Sequence, residues 1–307
     1  MDIIDLETNN STLTRVHPRL ELCGMTKIYP SVIANDSIDL TIAPGEIHAV
    51  LGENGAGKST LMKAIYGVVK PDKGEIFWEG KKIEILNPAH ARKLGIGMVF
   101  QHFSLFETLT VVENIALAMD NKTDMETLSE KIIEVSEKYG LTLDPKRLVH
   151  SLPVGLRQRV EIVRCLIQKP KLLIMDEPTS VLTPQAVRKM FKTLRKLSQE
   201  GCSILYISHK LDEIKELCHK ATIIRAGKVT GYAIPSNETP SSLAKMMIGK
   251  ELPVCTQNNP DLNGEKCLEV SNLSKTKSNQ FGTNLNNINF FVRSGEILGI
   301  AGISGNG

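Results

Sequence analysis

A glycine-rich loop, set between an apolar run and a short amphipathic segment, constrains the fold of this chain most. Residues 52–60 read Gly-Glu-Asn-Gly-Ala-Gly-Lys-Ser-Thr and match the pattern G-x-x-x-x-G-K-[ST]. The apolar run from Ile47 to Leu51 predicts a buried strand, and the residues after the loop predict a helix that ends near Gly67. Strand, loop and helix in this order are typical of a phosphate-binding loop rather than of an ordinary glycine turn.

The chemistry of the loop follows from its residue types. Glycines let backbone N–H groups turn toward an anion, and the helix adds the positive end of its dipole. We expect Lys58 to contact the outer phosphates of a nucleotide and Ser59 to bind a magnesium ion. The residues expected to hold the nucleotide here are Gly52, Glu53, Asn54, Gly55, Ala56, Gly57, Lys58, Ser59 and Thr60.

Composition argues against several other classes of protein. The chain has 307 residues, of which 41% are apolar, and its net charge of +3 is too small to indicate a nucleic-acid partner. No run approaches 18 consecutive apolar residues, and the first ten residues carry the wrong charge for a secretory signal. The six cysteines form no C-x-x-C pair, so we interpret them as reduced thiols of a cytosolic protein rather than as metal ligands.

The sequence around the loop occurs twice. Residues 44–52 reappear as residues 294–302, and residues 20–27 are echoed by residues 268–275. A repeat of this length indicates two tandem domains rather than a solenoid. We therefore expect four parts: a tail at 1–17, a first domain at 18–248, an Asn- and Pro-rich linker at 249–265, and at 266–307 the start of a second domain that stops inside its own phosphate loop.

Strands and helices alternate in the first domain. Apolar runs at 172–175 and 203–208 predict buried strands, while amphipathic patterns predict helices at 125–139 and from Thr183 toward Gly201. This alternation indicates an α/β fold with a parallel sheet that is covered by helices on both faces. Ligands of such sheets bind at the carboxyl ends of the strands.

Two carboxylates, Asp176 and Glu177, directly follow the predicted strand at 172–175. Carboxylates at the end of a buried strand are costly unless they have partners. We expect Asp176 to hold magnesium through water, and Glu177 to act as the base that aligns and deprotonates an attacking water. The alternative is a structural pair that caps the next helix.

With these motifs in this order, the chain resembles an ATP-binding-cassette (ABC) ATPase from residue 20 to 249, and the resemblance restarts at 267. The resemblance implies ATP and Mg²⁺ as ligands. It also implies an α/β P-loop NTPase parallel-sheet core with an antiparallel β subdomain and a helical subdomain at about 102–168. Tyr29 matches the aromatic that stacks on adenine, Gln101 matches the glutamine that senses magnesium and water, and His209 matches the histidine at the terminal phosphate.

The resemblance also assigns roles within the site. Catalysis would involve Glu177, His209, Lys58 and Gln101, and the magnesium ion would be held by Ser59, Gln101 and Asp176. The family's signature, which contacts the ATP of the partner cassette, corresponds here to Leu152, Pro153, Val154, Gly155 and Leu156.

Several longer segments resemble importers of simple sugars and nucleosides, whose ATPases carry two cassettes in one polypeptide. These segments are residues 95–103, 109–115 and 177–185. The resemblance implies membrane permease subunits as partners, indirect dependence on an extracytoplasmic solute-binding protein, no nucleic-acid partner, and a peripheral location on the cytoplasmic face of the cell membrane. Permease contact is expected in the helical region at about 102–168.

The signature departs from the family pattern. Its serine is replaced by Pro153, which has no hydroxyl, and its last glutamine by Leu156; Thr183 stands where the family usually has an aspartate. We therefore expect unequal sites: the one built on Lys58 and Glu177 hydrolyses ATP, and the one capped by this signature is weak. Two alternatives stay open, namely a cassette ATPase that acts on ribosomes or DNA, and a regulatory module that binds nucleotide without hydrolysis.

Overall fold

The structure, a computed structural model, describes residues 17–101, 103–119, 124–250, 264–277 and 283–302. The chain divides into two compact units, Met1–Glu251 and Leu252–Gly307. Almost all of the predicted tail, most of the predicted linker and the predicted second phosphate loop after residue 302 lie outside the described residues. The cysteines within the described ranges are free, and three of them (Cys165, Cys202 and Cys218) are buried.

The first unit contains ten strands and eight α-helices within the described residues. The strands are β1 (Leu20–Tyr29), β2 (Val32–Ile42), β3 (Ile47–Leu51), β4 (Lys73–Trp78), β5 (Lys81–Ile83), β6 (Ile96–Val99), β7 (Leu172–Asp176), β8 (Ser203–Ile207), β9 (Lys220–Arg225) and β10 (Lys228–Ala233). The helices are α1 (Lys58–Ile65), α2 (Pro88–Leu94), α3 (Val111–Ala116), α4 (Met125–Lys138), α5 (Val154–Leu166), α6 (Pro184–Gln199), α7 (Leu211–Leu217) and α8 (Pro240–Ile248). Short 3₁₀ turns occupy Val149–Ser151 and Pro235–Asn237.

The central sheet has the order β10-β9-β3-β8-β7-β6. The pairings from β9 to β6 are parallel, and only β10 runs antiparallel to its neighbour. Successive residues of β7 pack into different clusters: Leu173 and Met175 belong to one core, and Leu172 and Ile174 belong to the other. The sheet is therefore covered on both faces, and the predicted α/β fold with a parallel-sheet core is confirmed.

A second, antiparallel sheet has the order β2-β1-β4-β5. Alternate residues of β1 and β2, including Leu20, Leu22 and Leu40, are buried in the same cluster as Leu61 of α1. The antiparallel sheet thus packs over the helix that follows the glycine loop, and this packing brings the start of β2 next to the loop. The predicted antiparallel β part is present.

Local signals set the helix ends as expected. The side chain of Thr183 accepts a hydrogen bond from the backbone N–H of Ala186, with Pro184 as the first residue of α6. Gly201 follows the helix with a φ of 91°, in the left-handed region that favours glycine. Helix α4 begins after Asp124, whose carboxylate accepts from two backbone N–H groups.

The second unit is described as a hairpin of β11 (Lys266–Lys275) and β12 (Leu285–Arg293), which pair antiparallel. Its backbone repeats unusual features of β1 and β2 at the same positions of the sequence repeat. Left-handed φ values occur in both copies, at the pairs Gly24 and Asn272, Ser37 and Asn287, and Gly45 and Gly295. Both hairpins also shift register at the same place, between Leu22 and Met25 and between Val270 and Leu273.

Candidate functional site

The glycine loop connects the carboxyl end of β3 to the first residue of α1, as predicted. Gly55 and Gly57 have φ values of 81° and 105°, which side chains rarely adopt. A Cβ on Gly57 would lie 2.2 Å from the carbonyl oxygen of Ala34, and one on Gly52 would lie 2.2 Å from that of Ile224. The loop is therefore held against β2 and β9 in a shape that only glycine allows at these positions.

Lys58 is 8% exposed, and its ammonium group folds back over the loop. The Nζ atom donates hydrogen bonds to the carbonyl oxygens of Gly52 at 2.7 Å and Glu53 at 2.8 Å. Burial lowers the pKa of Lys58 below 10.5, and the nearby charges of Glu177, Asp176 and Glu53 oppose this shift. The site therefore holds a partly desolvated cation that a phosphate anion can contact.

Glu177 follows β7 in a strained backbone conformation, with a φ of 44°. Its backbone N–H donates to the carbonyl of Ile207 at 2.9 Å, which attaches it to the end of β8. One carboxylate oxygen accepts a hydrogen bond from Nε2 of Gln101 at 3.1 Å, and the other lies 3.1 Å from Nδ1 of His209. Three residues that the sequence singled out separately thus form one hydrogen-bonded group.

A cavity of about 1110 Å³ joins this group to the loop. It brings together most of the predicted site residues: Gly52, Glu53, Asn54, Gly55, Gly57, Lys58, Ser59, Thr60, Gln101, Asp176, Glu177 and His209. Ala56 is 5% exposed and packs beneath the loop instead of lining the cavity. The cavity lies at the carboxyl ends of the parallel strands, where the fold predicts a ligand.

Tyr29 lies at the end of β1 and is 37% exposed. It pairs across the β1–β2 hairpin with Val32, and its ring lies 5.6 Å from Nζ of Lys27. Val32 and its neighbour Ile33 line the cavity, whereas Tyr29 is not among the described residues that do so. The structure thus places the tyrosine opposite a residue of the cavity lining.

Sequence reasoning missed part of the lining. The additional residues are Val32, Ile33, Ala34, Ile207, Ala226, Gly227, Met247 and Ile248. Val32 and Ile33 are exposed apolar residues, a weak signal for a ligand surface. Met247 and Ile248 end α8, almost 200 residues after the glycine loop, and their sequence carries no signal for this placement.

The predicted signature begins the helix α5, away from the described lining of this cavity. Pro153 occupies the N-cap position and provides no side-chain hydrogen bond to the helix. Its carbonyl accepts from the backbone N–H groups of Leu156 and Arg157, so the helix starts normally. Leu152 is buried and Leu156 packs on the core, while Val154 and Gly155 are partly exposed.

A glycine loop at the start of α1, a buried lysine and acidic residues at the end of β7 define a P-loop nucleotide-binding domain on a parallel sheet. Comparison with known families specifies it further, because residues 35–180 match the family model described as ABC transporter. The chain carries an ABC transporter ATPase domain.

Solved structures of this family superpose on the chain. The ADP conformation of MJ1267, an ATP-binding cassette of an ABC transporter, has a TM-score of 0.66 at 26% identity and covers 76% of this chain and 99% of its own. The cbiO1 structure from Clostridium perfringens, part of an ABC transporter complex, has a TM-score of 0.64 at 28% identity and covers 76% of this chain and 93% of its own.

Similar proteins include named import ATP-binding proteins. The nucleoside import protein NupA of Lactococcus lactis is 40% identical over 292 residues, which span 94% of this chain and 58% of NupA. The guanosine import protein NupO of Bacillus subtilis is 39% identical over 94% of this chain and 57% of its own length. A ribose import protein, RbsA 1 of Rubrobacter xylanophilus, is 38% identical over 95% and 58%. The chain thus spans somewhat more than half the length of these relatives.

Among the helices of the described residues, none is both long and apolar enough to cross a bilayer.

Proposed function

We propose that this chain binds and hydrolyses ATP as part of an ABC importer, and so powers uptake of a nucleoside or simple sugar through membrane permease partners. The observation that carries the proposal is the hydrogen-bonded group of Gln101, Glu177 and His209, which faces an intact glycine loop across one cavity. The family membership and the names of the similar import proteins support the transport role.

The ligand would lie with its phosphates over residues 52–60. Backbone N–H groups and the dipole of α1 favour an anion there, and Lys58 would exchange its carbonyl partners for the outer phosphates. The hydroxyl of Ser59, the amide of Gln101 and the carboxylate of Asp176 are oxygen donors of the kind that Mg²⁺ prefers. A magnesium ion bound through a few protein oxygens and substrate phosphates fits this donor set, and it would neutralise phosphate charge. Tyr29, with Val32 and Ile33, would contact the base.

Glu177 would act on water. A carboxylate that is held by Gln101 on one oxygen and His209 on the other keeps a fixed orientation at the strand end. From there it can align a water molecule and accept its proton as the water attacks the terminal phosphate. His209 would also contact that phosphate.

The proposed partners rest on the family and on exposed apolar residues at the surface of the helical region. Phe106, Leu117 and Leu148 in the helical region are apolar and 41–63% exposed. We infer that permease subunits cover this surface on the cytoplasmic face of the membrane, and that an extracytoplasmic solute-binding protein acts through them. In such an assembly the permease subunits and the solute-binding protein would select the solute, and this chain would not.

A second cassette in the same polypeptide is part of the proposal. It is supported by the sequence repeat and by the matching left-handed residues and register shifts of the two hairpins. We infer the four parts named above, with the first cassette at 18–248 and the second from 266. The signature at 152–156 would then face the nucleotide of the second cassette, and Pro153 would make that site the weaker one.

The test is Glu177→Gln in the full polypeptide assembled with its permease. We expect ATP affinity to be kept and ATP turnover to fall on the order of a hundredfold or more, because the general base is lost. The exposed residue Glu216 provides a control: Glu216→Gln should leave turnover unchanged. Retention of most turnover in Glu177→Gln would reject this assignment of the base. ATP binding without any turnover in the unaltered protein would instead support a regulatory module.

A further inference from the structure

Helix α5 carries three charged residues, Arg157, Glu161 and Arg164, that share one side of the helix. Their spacing of four and three residues places them along one stripe. We call this stripe the α5 charged stripe. All three make contacts with the segment that follows Gln101, rather than with water alone.

Glu161 and Arg164 of the stripe bind both the backbone N–H and the backbone carbonyl of Ser104. The carboxylate of Glu161 accepts a hydrogen bond from the backbone N–H of Ser104 at 2.9 Å. Nη1 of Arg164 donates to the carbonyl oxygen of the same Ser104 at 3.2 Å. Glu161 and Arg164 also pair with each other, so the two side chains and Ser104 form a closed group.

The first residue of the stripe extends this attachment toward the signature. Arg157 pairs with the carboxylate of Glu107 at 2.6 Å and donates to the carbonyl oxygens of Leu152 and His150. The segment 104–107 is therefore tied at both ends to the helix whose first turn contains the signature.

This arrangement is costly to the fold. The side chain of Glu161 is 0% exposed, and that of Arg164 is 15% exposed. Burial raises the pKa of Glu161, while the Arg164 charge and the Ser104 amide oppose the shift. Apolar side chains of similar size often stabilise a core as well as a buried ion pair does. Positioning of Ser104 explains why Glu161 and Arg164, and not apolar residues, occupy these buried positions.

Ser104 lies three residues after Gln101, whose amide contacts Glu177 in the cavity. The side chain of Ser104 is exposed, so the segment is fixed through its backbone and not by packing of that side chain. A displacement of α5 would therefore move Ser104, and with it the end of the segment that carries Gln101.

We propose that Glu161 and Arg164 are positioning residues that fix Gln101 to the signature helix, so that movement of α5 changes the contact between Gln101 and Glu177. This proposal rests on the proposed function, because the contact between Gln101 and Glu177 affects catalysis only if Glu177 acts in hydrolysis. In this role the two residues would act through Gln101 and not directly on the nucleotide or the attacking water.

The experiment compares Glu161→Ala, Glu161→Gln and Glu161→Ala/Arg164→Ala in the full polypeptide with its permease. Amide hydrogen exchange of Ser104 without nucleotide is measured first, and then KM and kcat for ATP. We expect exchange to quicken on the order of tenfold in Glu161→Ala, which is the factor for loss of one charge-assisted hydrogen bond. Glu161→Gln keeps an acceptor for Ser104 and should restore part of the protection.

For turnover, we expect KM to stay within about twofold and kcat to fall on the order of tenfold or more, because only the placement of a catalytic contact changes. Glu134→Gln, at an exposed position of α4, is the matched control and should change neither quantity. The double variant leaves no unpaired buried charge, so it reports on the attachment of Ser104 to α5 even if Glu161→Ala unfolds.

Unchanged exchange at Ser104 in folded variants would overturn the proposal, and so would faster exchange with unchanged kcat. A parallel rise in KM would point to general damage of the site and would also count against it. If the unaltered protein does not hydrolyse ATP, the proposed function fails, and the exchange result still shows separately whether Glu161 and Arg164 attach Ser104 to α5.

Discussion

The ammonium nitrogen of Lys58 lies 2.7 Å from the carbonyl oxygen of Gly52, so the lysine closes the glycine loop on itself. A second contact, to the carbonyl of Glu53, uses another of its three N–H donors. The cation is thus held against the glycine loop. Because it is partly buried, water competes less with a phosphate for its hydrogen bonds. A bound phosphate would replace two neutral acceptors by a charged one.

Lys58→Ala should therefore lower the affinity for Mg·ATP roughly tenfold to a hundredfold, since hydrogen bonds to charged groups contribute about 1.5–3 kcal/mol. The measurement is calorimetry on the full polypeptide. Lys63→Ala is the matched control, because Lys63 lies in the same helix but is exposed. Equal affinities of the two variants would argue that the loop does not hold the phosphates.

Gly57→Ala should disturb both the fold and the site. The new side chain would require a left-handed backbone, at a cost of roughly 1–2 kcal/mol, and would also meet the carbonyl of Ala34 at 2.2 Å. We expect a loss of unfolding free energy above that range in urea, together with weaker ATP binding. Gly231→Ala should change stability much less, because among the described residues no atom beyond its chain neighbours lies within 4 Å of the added Cβ. Similar losses in both variants would contradict the steric explanation.

The sequence predicted the site best where a local pattern and the ligand chemistry coincide. The glycine loop, the strand before Asp176 and the cap of α6 at Thr183 each depend on neighbouring residues, and each lies as predicted. Met247 and Ile248 line the cavity because α8 lies close to the glycine loop in the folded chain. No local sequence pattern predicts that tertiary contact. The pair Glu161 and Arg164 was missed for a different reason, because charges at helical spacing usually indicate a solvated face.

His209→Ala should lower kcat by a larger factor than it lowers ATP affinity. The imidazole lies 3.1 Å from a carboxylate oxygen of Glu177, and its side chain is 57% exposed, so its removal frees Glu177 without opening the core. A loss of orientation at a catalytic group costs on the order of a hundredfold in rate. Steady-state ATPase assays on the assembled protein would measure it, with His90→Ala in α2 as a control outside the described cavity lining. A variant with native kcat would remove His209 from the site.

Glu46, which is not part of the described cavity lining, should make the free energy of unfolding depend on pH. Its carboxylate is 6% exposed, lies 2.7 Å from Nδ1 of His48 and accepts from the backbone N–H of Ala43 at 3.0 Å. Burial alone would raise the pKa of Glu46, but the hydrogen bonds from His48 and Ala43 and the charges of His48 and Lys220 outweigh burial and hold the pKa below 4.5.

A carboxyl group with a lowered pKa in the folded state stabilises the fold above its unfolded pKa and loses this contribution as the pH falls through the folded value. We therefore expect Glu46→Gln to cost about 1–3 kcal/mol of unfolding free energy at pH 7, because a buried charged acceptor is lost. The deficit should shrink as the pH falls from about 4.5, where the unfolded carboxyl group takes up its proton, through the lower pKa of the folded state, where the native carboxylate is protonated as well. Urea titrations of both proteins over this range, with the exposed-site variant Glu134→Gln as a control, would measure the deficit. A deficit that stays constant with pH would show that shape, and not charge, makes Glu46 important.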